Sequence, residues 1–142
     1  MLFESQKYLY IFRYALAWAF IVLILSGLPG KSIPTLSFHA EDKVGHFVVY
    51  AILNFLSLSA LRKHRKDTFI NVSLVVIACI AWGFCMELLQ KYVFKDRSFD
   101  YMDALANTIG VLIALLIYVF LKIFGKQSTA TTGLSYKNSK RV

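Results

Sequence analysis

Four stretches of the chain stay apolar for about twenty residues each, and the polar residues between them come in short clusters. A bilayer core about 30 Å thick takes about 20 helical residues to cross at about 1.5 Å per residue. The apolar runs extend from about Leu9 to Leu28, Lys43 to Leu61, Thr68 to Gln90 and Met102 to Phe124, and each reads as a transmembrane helix. Arg13 lies near enough to the end of the first run to extend toward headgroups, and Gly27 with Pro29 marks its stop. A cleaved signal peptide is the competing reading of that run, since Lys7 and Arg13 precede its apolar stretch and Ser26 with Gly27 close it. Its length and the neighbouring Pro29 favour a retained span. Short connections between the runs predict an all-α, antiparallel bundle of four helices forming one domain over residues 1–126. Residues 127–142, rich in Ser, Thr and Lys, read as a basic, disordered tail.

Composition agrees with this pattern. Of 142 residues, 58% are apolar and 17% charged, less polar surface than a soluble domain of this size needs. The net charge of +8 is unevenly placed. Eleven of the sixteen Lys and Arg residues fall at the amino terminus, in the loop after the second run, or in the last turn and tail, which predicts both termini in the cytoplasm. Six of the eight acidic residues fall on the opposite side. The basic excess is thereby assigned to topology and anionic lipid, and nucleic acid is excluded as a partner. Cys79 and Cys85, six residues apart on a helix, face different ways and read as apolar fillers; no disulfide framework is expected. No P-loop, HExxH or G-x-S-x-G motif occurs, and no cofactor or metal is expected.

The candidate chemistry lies on the acidic side. Asp42, His46 and Tyr50 recur every fourth residue and form one stripe of the second helix, which Asn54 and Ser57 continue inward. Glu87 and Gln90 share a face at the end of the third run. Arg97, Asp100, Asp103 and Asn107 lead from the last loop into the fourth helix, with Asp100 placed as its N-cap. Gly110 and Ala114 continue the face of Asp103 and Asn107 as small residues that permit close packing, so Asn107 is expected to point into the bundle. Tyr92, Phe94, Phe99 and Tyr101 around this loop read as an interfacial aromatic belt. Ionisable groups at such depth are costly, which makes their gathering a pointer to function.

Three groups of residues together give a family resemblance: Asp42-Lys43 with His46-Phe47 and Tyr50; Glu87 with Gln90; and Arg97 followed by Asp103, Asn107 and Gly110. In this order, on this apolar background, the chain resembles the VanZ-like family of bacterial membrane proteins, named for a member linked to teicoplanin resistance. The resemblance implies a multi-pass protein of the bacterial cytoplasmic membrane acting on the cell envelope, and in one branch an effect on glycopeptide susceptibility. Asp96 and Asp100 make the last loop more acidic than that pattern.

Three functions compete. In the first, His46, Glu87, Gln90, Arg97, Asp103 and Asn107, with Asp42, Tyr50 and Asp100 beside them, line an outward-facing pocket for a membrane lipid or lipid-linked envelope precursor. Arg97 and Lys43 would hold its phosphate. In the second, His46 or Glu87 acts as general acid or base on the headgroup, with Asp103 orienting the imidazole; a metal-dependent form would use His46, Glu87 and Asp103 as ligands. In the third, the polar residues only lock the bundle, and the protein is a homo-oligomer or a subunit of a membrane complex.

Overall fold

The computed structural model describes the backbone of residues 2–27, 39–94 and 99–139, and the side chains of residues 9–27, 42–94 and 99–124. The described residues hold four helices and no strand: α1 (Leu2–Ser26), α2 (His39–Lys63), α3 (Phe69–Tyr92) and α4 (Tyr101–Ser139). Each contains a stretch long and apolar enough to cross a membrane, namely Leu9–Ser26, Asp42–Lys63, Phe69–Tyr92 and Tyr101–Phe124. The helical backbone of α4 continues to Ser139, across the segment whose composition alone suggests an unstructured tail.

Local chemistry accounts for the helix ends. Arg65 takes a left-handed φ of 54°, with Lys66 N donating to Leu61 O (2.9 Å) and Arg65 N to Arg62 O (3.0 Å), which is the paired-bond pattern that satisfies the last carbonyls of a helix. Thr68 caps α3 by accepting from Asn71 N. Asp100 does the same for α4, where its Oδ1 accepts from Met102 N at 2.7 Å.

Packing is dominated by α2 against α4. Gly110 makes this possible, because a Cβ there would collide with the carbonyl oxygen of Phe47. The two helices run in the same direction: Lys43 meets Asp103, His46 meets Asn107, Asn54 donates to Val111 O (2.8 Å), and Leu58 and Leu61 cluster with Tyr118. α1 is tied to α2 by Trp18 Nε1 donating to Val49 O at 3.0 Å. At the end of the bundle away from His46, Asp67 takes a 2.6 Å ion pair from Lys122 and a 2.9 Å bond from the Tyr118 hydroxyl, fastening the start of α3 to α4. Between α1, α2 and α3 lies an apolar cleft of about 460 Å³, lined among others by Phe12, Ala19, Leu53, Val75 and Trp82.

Candidate functional site

The α2 stripe, the end of α3 and the start of α4 converge at one end of the bundle. His46 Nδ1 lies 3.1 Å from Asn107 Oδ1, and Asn107 Nδ2 donates to Glu87 Oε1 at 3.4 Å. A carboxylate only accepts, so Asn107 turns its amide NH₂ to Glu87 and its carbonyl to the imidazole. Nδ1, facing an amide oxygen that only accepts, therefore carries a proton. Nε2 faces Asp103 Oδ2 at 3.8 Å and Asp42 Oδ1 at 4.0 Å. Lys43 Nζ bridges Asp103 Oδ1 (3.0 Å) and Asp100 Oδ2 (3.2 Å). The backbone N–H of Met102, and then Lys43, hold the Asp100 carboxyl below its ordinary pKa.

Exposure falls steeply inward. The side chain of Asp42 is 64% exposed and that of Asp100 45%, whereas His46 retains 15% and Glu87 1%. Charged groups thus form a solvent-facing rim over a buried floor of Glu87 and Asn107. The Oε2 of Glu87 has no hydrogen-bond partner among the described residues, and neither does the buried hydroxyl of Tyr50. A native interior ordinarily pairs such groups.

Asp42, Lys43, His46, Glu87, Asp100, Asp103 and Asn107 therefore sit in one connected cluster. Tyr50 lies on the same stripe one turn deeper, with its ring against Gly83, and Gln90 is buried on the Glu87 face of α3. Arg97 lies outside the described residues, as does Asp96. Two details differ from expectation. The imidazole is oriented by Asn107 rather than by Asp103, which is beyond hydrogen-bond distance from Nε2. The trio Asp42, His46 and Asp103 offers ligand atoms within 4.8 Å of one another, whereas Glu87 approaches the opposite ring nitrogen, Nδ1 (3.7 Å). Gly83 had no signal in the sequence, yet a Cβ there would lie 3.1 Å from Asn107 Cβ and 3.2 Å from the Tyr50 ring, so its small size admits both to the floor.

The sequence profile of the VanZ/LLP1 family matches residues 8–122, a range that contains the whole cluster. An uncharacterized protein of Schizosaccharomyces pombe is 28% identical over 120 residues, covering 84% of this chain and 71% of its own length. No solved structure matches the chain.

Proposed function

Since the chain belongs to the VanZ/LLP1 family, we propose that it is a multi-pass protein of the bacterial cytoplasmic membrane that binds or modifies the polar head of a lipid or lipid-linked envelope component. In this reading the bundle is antiparallel with both termini in the cytoplasm, and the His46 end opens to the outer leaflet. Lys43 and Arg97 attract the phosphate, the carboxylates and Asn107 take up hydroxyl or amine groups, and the apolar cleft between α1, α2 and α3 seats a hydrocarbon tail. An effect on glycopeptide susceptibility would follow if the bound component is a wall precursor.

The observation that carries this reading is Glu87, wholly buried with one carboxylate oxygen unpartnered among the described residues, beneath a rim of exposed charge. A cluster serving only to lock helices is expected to satisfy its buried members, because each unpaired group costs about 1–3 kcal/mol. The competing reading is an assembly subunit locked by these residues, and lipid retention separates the two. Lipids extracted from purified full-length protein should include a phosphate-bearing species at near one per chain, reduced at least tenfold in Lys43→Ala and Asp103→Asn variants that melt within a few degrees of wild type. Equal lipid content in folded variants would overturn the proposal; lost stability or lost partner recovery, with lipid unchanged, would favour the assembly reading.

A further inference from the structure

The side of His46 that faces away from Asn107 has no role in the hydrogen-bonded relay. With Nδ1 turned to Asn107, Nε2 faces two carboxylate oxygens 3.8 and 4.0 Å away, and in the neutral imidazole it carries the lone pair. Both gaps are too long for hydrogen bonds, and a lone pair facing carboxylates is repulsive unless a proton or a cation lies between them. Two ligands about 2.1 Å from a common ion in tetrahedral arrangement stand about 3.4 Å apart; the three atoms here lie within 4.8 Å of one another, with the aspartate oxygens 3.8 and 4.0 Å from Nε2, so the aspartates must move inward to close the site. Asp42, exposed in the early turns of α2, has the freedom to do so.

The charges point the same way. Asp42, Asp100, Asp103 and Glu87 bring four carboxyl groups around Lys43 and the His46 imidazole. Glu87 is fully buried on the Nδ1 side of the imidazole, behind the three ligand atoms, and its Oε2 has no partner among the described residues. Lys43 occupies the other oxygen of Asp103 and leaves Oδ2 turned to His46. The relay His46 Nδ1–H to Asn107 to Glu87 is also the outer-shell arrangement that fixes a ligating histidine by its second nitrogen.

From this arrangement we infer that Asp42, His46 and Asp103 form a binding site for one divalent cation, coordinated through His46 Nε2 and one oxygen of each aspartate. One nitrogen and two oxygens suit a first-row ion such as Mn²⁺ or Zn²⁺, with remaining positions open toward the rim. The inference deepens the headgroup reading and rests on it for its purpose, since such an ion would supply the charge that faces a phosphate.

The test is electron paramagnetic resonance on purified, chelator-treated, full-length protein titrated with Mn²⁺. The expected result is one bound Mn²⁺ per chain with ¹⁴N hyperfine coupling from a single imidazole. His46→Gln should abolish the coupling and weaken binding at least tenfold, and Asp103→Asn should weaken binding to a similar degree. Asp67→Asn, at the other end of the bundle, should leave affinity within about twofold. Absence of stoichiometric Mn²⁺, absence of ¹⁴N coupling, or unchanged affinity in His46→Gln would overturn the inference; should a variant fail to fold, the coupling in wild type decides alone. Lipid content measured on the same chelator-treated wild type keeps the two claims apart. Retained lipid without a Mn²⁺ site removes only the cation, whereas a coupled Mn²⁺ site with no selective lipid upholds the cation and removes the headgroup reading.

Discussion

At the scale of single residues, the cluster depends on helical period and on glycine. The stripe Asp42, His46 and Tyr50 was legible because residues four apart share a helix face, and the gathering of acids marked the end at which the polar cluster forms. What the sequence did not carry is the pairing across helices. Lys43 meets Asp103 and His46 meets Asn107 at separations of 60 and 61 residues, and no local pattern encodes which oxygen faces which nitrogen. Asn107 was therefore expected to point inward, yet its role in setting the His46 tautomer emerges only from the geometry. That geometry requires Gly110, where a Cβ would strike the Phe47 carbonyl oxygen, a backbone atom that cannot swing aside. Gly110→Ala should destabilise the protein by about 1–3 kcal/mol in a detergent thermal melt. Gly45→Ala, where nothing lies within 4 Å of the added carbon and the residue is inside α2, should instead raise stability by about 0.5–1 kcal/mol. Equal melting of the two variants would show that α2 and α4 do not meet through Gly110.

At the scale of helices, the α2–α4 pair bears most of the packing, and α3 closes over it at both ends by polar contacts. One contact is Glu87 with Asn107; the other is Asp67 with Lys122 and Tyr118. The second was not visible in the sequence, since Asp67 reads there as an ordinary loop residue and its partners lie 51 and 55 positions away. The Lys122 ammonium, and then the Tyr118 hydroxyl, hold the Asp67 carboxyl below its ordinary value of 3.8. A carboxyl whose folded pKa is depressed adds stability that is complete well above 3.8 and is lost as pH falls through the folded value. Wild-type protein should accordingly lose melting temperature below about pH 4, and Asp67→Asn should start lower at pH 7 with a shallower acid decline. Parallel acid profiles for the two proteins would mean the latch contributes nothing.

At the scale of the whole molecule, four spans of the right length were legible from hydropathy alone, because each must satisfy its backbone within a helix. The proposed sidedness rests on the distribution of Lys and Arg. In a background lacking Cys79 and Cys85, a cysteine at Asp42 should react with a membrane-impermeant maleimide on intact cells, while one at Arg65 should react only after lysis. The reverse pattern would turn the cluster toward the cytoplasm and remove an outer-leaflet ligand. The most direct measurement of the central claim places a photo-crosslinking residue at Phe99, which packs against Phe84 and Tyr101 beside the rim, and identifies by mass spectrometry the lipid captured in living cells. The account predicts a phosphate-bearing lipid captured at Phe99, absent from the same probe at Ile117 and lost when Asn107→Leu is added. The same adducts at both positions, or undiminished capture in a folded Asn107→Leu protein, would contradict it.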